Sequence, residues 1–157
     1  MMSAQDVIMS SRINKFKVSV VIFSVFLLDQ VTKYLAIKFL APDGIVKILP
    51  FLNLVYVENT GTAFGLFKFL GSEFFILIAV FVTVFMIYLC FKDYQNYFMY
   101  SLIIAGALGN IADRLIYKHV IDFIDLHAGK FHWPAFNIAD TAISIGIIIF
   151  LYKSFKK

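Results

Sequence analysis

Phe74–Phe91 reads FFILIAVFVTVFMIYLCF, an apolar run without a charged residue, proline or glycine. About 20 mostly apolar residues suffice for a helix to cross the hydrocarbon core of a bilayer, so this run predicts a membrane span. Outward from it, YFMYSLIIAGALGNIADRLIY (97–117) and FNIADTAISIGIIIFLYK (136–153) read as two further spans. The segment from Phe16 to Leu40, opening VSVVIFSVFLL after Arg12, Lys15 and Lys17, reads as the first. Its flanks also suit a cleavable signal peptide, but DQVTKYLAIKF follows where a small-residue cleavage site would be, which predicts a retained helix with Met1–Ser11 as a flexible segment outside the fold.

Composition agrees. Of 157 residues, 61% are hydrophobic and 15% charged, and 19 are Phe; with a mean hydropathy of +0.86 this is far too apolar for a soluble domain. The expected fold is an all-α polytopic membrane protein: four transmembrane helices in a single domain over residues 1–157, with connections at 41–73 and 118–135. Basic residues at both ends and Lys92 in the short second connection place the termini in the cytoplasm by the positive-inside rule. Both longer connections then face outward. Topology accounts for the net charge of +4, and nothing calls for nucleic acid. Cys90 is the single cysteine, which excludes an intrachain disulfide and predicts a buried apolar role.

The first outer connection contains GIVKILPFLNLVYVEN, short β-branched and aromatic runs broken by Pro50 and Asn53. It predicts two or more strands, a small extracytoplasmic sheet, with NTGTAFG returning the chain to the second span. The second connection, Lys118–Ala135, is expected as a short cover over the site.

Polar residues in spans are costly, roughly 2.5–3.5 kcal/mol for Asp, Lys or Arg at a helix centre, so each requires a reason. Asp29 and Lys33 share a helical face at i, i+4 and can pair, either as a structural ion pair or in contact with substrate or a lipid headgroup. In GNIADR, Asn110, Asp113 and Arg114 share a stripe with Gly106, while Ser101, Ala105 and Gly109 form a small-residue stripe for close helix approach. Asp113 and Arg114 can neutralise each other or pair across the bundle. Asn137 and Asp140 fit a helix cap. That leaves Asp122, in VIDFIDL, a run too apolar for an ordinary surface loop, and its pairing with Asp140 suggests a convergent site. Asp125 and His119, His127 and His132 complete the inventory; their spacings match no zinc pattern, and histidines beside Phe131 and Trp133 suit the headgroup level.

In order along the chain, DQVTK (29–33), NTGTAFG (59–65), GNIADR (109–114), VIDF (120–123) and FNIAD (136–140) resemble the motifs of lipoprotein signal peptidase, or signal peptidase II, the membrane aspartic peptidase of bacteria. Ala112 and Ile121 are small departures, where the family more often has a larger aliphatic and Val. The resemblance implies a catalytic dyad of Asp122 and Asp140, with Asp113 as the alternative member. It implies that Asn59, Gly61, Asn110, Arg114 and Asn137 line or brace the site, while Asp29, Lys33 and Asp113 support it. The implied substrate is a bacterial prolipoprotein whose lipobox cysteine carries diacylglycerol, cut N-terminal to that cysteine in the cytoplasmic membrane; a carboxylate dyad needs no metal or cofactor, and a monomer is expected. A different class, a small transporter or proton-pathway subunit, would place acidic residues near mid-span and show an internal repeat; here Asp122 and Asp140 are expected at one membrane face, and no repeat is visible.

Overall fold

The computed structural model describes residues 4–61 and 71–156. The chain runs α1 (Ala4–Asp43), β1 (Val46–Leu49), β2 (Leu52–Asn59), α2 (Gly71–Lys92), a 3-10 turn (Tyr94–Asn96), α3 (Tyr97–Tyr117), β3 (Val120–Ala128), β4 (Phe131–His132) and α4 (Ile138–Phe155). Four helices are long and apolar enough to cross a membrane: Lys15–Pro42, Glu73–Lys92, Tyr97–Tyr117 and Ile138–Phe155. They match the expected spans to within a few residues. The lead-in differs, because α1 is already helical from Ala4. No proline or glycine precedes Pro42, so nothing in the backbone stops the helix from extending past its apolar portion.

α3 is the central helix and packs against each of the other three. Over an 18-residue stretch of its span 72% of the residues are buried, against 11–17% for the corresponding stretches of the others. The outer helices instead turn Leu77, Phe81 and Ile148 outward, as expected where lipid is the solvent. Cys90 lies with Met99, Tyr100 and Ile104 in a buried cluster between α2 and α3.

At the other end of the bundle, β1, β2, β3 and β4 form an antiparallel sheet in that order. Both connections build it, whereas strands were expected from the first alone. Asn53, read as a break, lies within β2 opposite Asp125 of β3. The run VIDF, read as part of a cover, is the buried start of the central strand β3; its apolar side chains Ile121 and Phe123 close a cluster with Ala36 and Leu40 of α1. A register shift between Leu54 and Val57 brings Val57 opposite Asp122 and Asn59 opposite Val120. Of NTGTAFG, Asn59 ends β2 and Gly61 follows; residues 62–65 lie outside the described residues.

Candidate active site

Asn137 organises the site. As N-cap of α4, its side-chain oxygen accepts the Asp140 N–H at 2.8 Å, and its own backbone N–H donates to Asp140 Oδ2 at 3.3 Å, a reciprocal capping box. The other half of the carboxamide turns to β3, donating from Nδ2 to Asp122 Oδ1 at 2.7 Å and to the Ile121 carbonyl at 3.2 Å. One fully buried side chain thus ties both aspartates together. Asn59 donates to the second Asp122 oxygen at 2.9 Å while accepting the Gly61 N–H. Asn110 donates to Asp140 Oδ1 at 2.8 Å.

Asp122 and Asp140 line one cavity of about 1020 Å³ with Asn59, Trp133, Thr141 and Ser144. Asp122 is 1% exposed. Burial and then the neighbouring charge of Asp140 push its carboxyl up to about 7, against the Asn59 and Asn137 hydrogen bonds and the charge of Lys33.

Behind the aspartates lies a buried ionic lattice. Lys33 Nζ reaches Asp29 at 2.9 Å, Asp113 at 2.8 Å and Asn110 Oδ1 at 3.0 Å, which occupies its three donors. Asp29 and Lys33 pair as their i, i+4 spacing predicts. Asp113 pairs across the bundle with Lys33 rather than with adjacent Arg114, and takes the Ile121 N–H at 3.1 Å. Gly109 makes room for the lattice, since a Cβ there would fall 2.5 Å from Asp29 Oδ2. Arg114 donates to the Asn110 carbonyl at 3.3 Å, and its guanidinium lies 5.6 Å from the centroid of the Phe75 ring.

Two participants carry no signal of their own in the sequence. Gln30 donates toward Asp29, Asp113 and the Gly109 carbonyl at 3.1–3.3 Å, visible beforehand only as a letter inside DQVTK. Phe75 is one apolar residue among many in α2. On the sheet, Asp125 accepts from Asn53 at 2.8 Å and lies 2.8 Å from His132. Burial works to raise its carboxyl, but these bonds and the histidine charges hold it below the usual range. His127 stacks on His132 at 4.9 Å, and His119 lies 3.8 Å from Glu58. Among the described residues, no three His, Cys, Asp or Glu side chains are placed to hold a metal ion.

Four helices long and apolar enough to cross a membrane, with a cavity lined by two carboxylates where the bundle meets a sheet, fit a multi-pass membrane protein. The signal peptidase (SPase) II family matches residues 21–156, and the chain belongs to that family. It is 73% identical over 142 residues to a lipoprotein signal peptidase of Thermodesulfovibrio yellowstonii, covering 90% of this chain and 97% of that one. A lipoprotein signal peptidase of a Janthinobacterium species is 43% identical over 140 residues, covering 83% of each chain. A bacterial membrane enzyme structure determined in meso at 2.3 Å resolution aligns with a TM-score of 0.81 at 33% identity, covering 89% of this chain and 88% of that one. A second, at 1.9 Å resolution, aligns with a TM-score of 0.81 at 32% identity, covering 90% and 94%. Membership makes the chain a peptidase of the signal-peptide class.

Proposed function

We propose that the protein removes the signal peptide from diacylglyceryl-modified prolipoproteins, cutting N-terminal to the lipidated cysteine, with Asp122 and Asp140 as an aspartic dyad. The single observation that carries the reading is the Asn137 side chain, which fixes both carboxylates at the wall of one cavity. Burial favours Asp122 as the holder of the shared proton, which gives Asp140 the role of general base. Asp140 then takes a proton from water as its oxygen attacks the scissile carbonyl carbon, and Asp122 donates to the carbonyl oxygen. As the tetrahedral species collapses, Asp122 recovers its proton and Asp140 delivers its own to the departing amine. Water is split, the C–N bond breaks, and both carboxyls return to their starting states. Metal has no part in these steps. Asp113, occupied by Lys33 and the Ile121 amide, serves as a support.

The charge distribution supports cytoplasmic termini and a site at the outer face. There, a signal helix anchored in the bilayer presents its lipid-bearing end at the depth of the dyad. The cavity continues from Asp140 along Thr141, Ser144 and Ile145 of α4, a path that follows a membrane-embedded substrate. The test compares diacylglyceryl-modified and unmodified precursor peptides with purified protein in detergent. Cleavage of the modified peptide alone, yielding the lipidated cysteine as new N-terminus, is expected. Equal cleavage of both overturns the proposed selectivity, and ion flux in proteoliposomes without cleavage of either favours a transporter.

A further inference from the structure

The Phe75 ring lies against two residues of the candidate site. A Cβ at Gly61, which stands at φ 100°, would fall 2.3 Å from the ring. Arg114 lies over the ring, its Cζ 5.6 Å from the centroid. Arg114 needs such a support. Its Nε is buried without a hydrogen-bond partner among the described residues, its Nη1 bond goes to its own helix, and the charges of Asp140, Asp122 and Asp113 all act on it. A guanidinium within about 6 Å of an aromatic centroid is drawn to the negative face of the ring, which restrains a long side chain that few hydrogen bonds fix here.

We infer that Phe75 is a positioning residue: its ring holds the Arg114 guanidinium, which bonds the backbone of Asn110, the donor to Asp140, and position 61 is glycine so that the ring can lie there. The ring offers no hydrogen bond and reaches neither aspartate through any observed contact, so its effect on the reaction passes through Arg114. α2 thereby contributes to a site otherwise built by α1, α3, α4 and the sheet. The same contact binds the exit of β2, and with it Asn59 on Asp122, to the bundle.

The inference rests on the dyad reading, and wild-type protein in the same assay separates the two. Failure of the wild type to cleave modified precursor overturns both, whereas with a cleaving wild type the variants alone decide the role of Phe75. The experiment measures kcat, KM, the pH–rate profile and the thermal midpoint in detergent for Phe75→Leu, Phe75→Tyr, Arg114→Gln and the Phe75→Leu/Arg114→Gln double variant, with Phe75→Met replacing Leu if yield falls. Loss of the ring should lower kcat by about tenfold. It should also move the acidic limb of the profile to higher pH, because a displaced cation no longer favours the ionised carboxylate. Phe75→Tyr should restore both. The double variant should be no slower than Arg114→Gln alone, since contacting residues in one pathway are not additive. An unchanged pH profile in Phe75→Leu, or a double variant losing the product of the two single factors, overturns the inference.

Discussion

Asp29 and Ala139 stand 110 positions apart and are joined by one buried hydrogen bond, from the Ala139 N–H to Asp29 Oδ1 at 2.8 Å. Asp113 makes the matching bond on the other side, from the Ile121 N–H to Oδ2 at 3.1 Å. Ala139 immediately precedes Asp140, and Ile121 immediately precedes Asp122. Each supporting carboxylate therefore anchors the backbone just before one of the two cavity aspartates, and Lys33 joins the two anchors. The separation of Asp122 from Asp140 is set by this lattice as well as by Asn137.

Lys33→Met should for that reason yield little folded protein. It leaves two carboxylates buried without their cation, a loss of about 3–5 kcal/mol for a broken buried pair. Lys33→Arg should not rescue, because a planar guanidinium cannot place three donors where the ammonium does. Adding Asp29→Asn and Asp113→Asn to Lys33→Met removes the stranded charge and should recover folded protein. Yield and thermal midpoint in detergent check this, and a stable, monodisperse Lys33→Met single variant would contradict it.

Asp122→Asn and Asp140→Asn should each lower cleavage by roughly a hundred- to ten-thousand-fold, the usual contribution of a general acid or base, while the protein remains folded. Asp113→Asn should lower the amount of folded protein instead. Activity per folded molecule distinguishes the classes; near-normal turnover by either Asp122→Asn or Asp140→Asn removes that residue from the dyad.

How far these relationships could be read beforehand depends on whether they are local. The Asp29–Lys33 pair follows from i, i+4 spacing, and the Asn137–Asp140 box from the preference of short polar side chains for helix starts. The spans are legible because lipid demands apolar length. The role of VIDF as a central strand was not, since a short apolar run fits a buried strand or a covering segment equally. Its partner β2 is over sixty residues away, and only pairing across that distance sets Asn59 against Asp122. Gln30 and Phe75 were silent for the same reason: their partners, Asp113 and Arg114, lie on another helix.

The raised carboxyl of Asp122 has a consequence for stability. Its folded value, about 7, stands above the ordinary 3.8, so between these values the folded state holds a proton that the unfolded state has released. Its contribution is complete below about pH 4 and is lost as pH rises toward 7, at no more than about 1.4 kcal/mol per pH unit. Asp125, held low, acts in the opposite sense, but only as pH falls below the ordinary carboxylate range. Wild type should therefore unfold at lower temperature at pH 7.5 than at pH 5, and Asp122→Asn should lose that difference. Equal pH slopes in the two proteins would show that Asp122 is not the group responsible.

Asn137 allows capping to be separated from catalysis. Serine at this position keeps a side-chain oxygen for the Asp140 N–H, and N-cap preferences of Ser and Asn are similar, so Asn137→Ser should keep the cap and lose only the stability, about 1–3 kcal/mol, of the buried bonds from Nδ2 to Asp122 and the Ile121 carbonyl. Serine has no second arm, and the 2.7 Å bond to Asp122 disappears with the amide. Asp122 becomes ionised as it gives its proton to the carbonyl oxygen, and a hydrogen bond to a charged group is worth about 1.5–3 kcal/mol, which corresponds to a loss of roughly 10- to 100-fold in rate. Asn137→Ala loses the cap as well and should add about 1 kcal/mol of destabilisation to the same kinetic defect. Kinetics and thermal unfolding on both variants check the separation. Full activity in Asn137→Ser would mean that the capping box alone aligns the dyad and that the amide bond to Asp122 is dispensable.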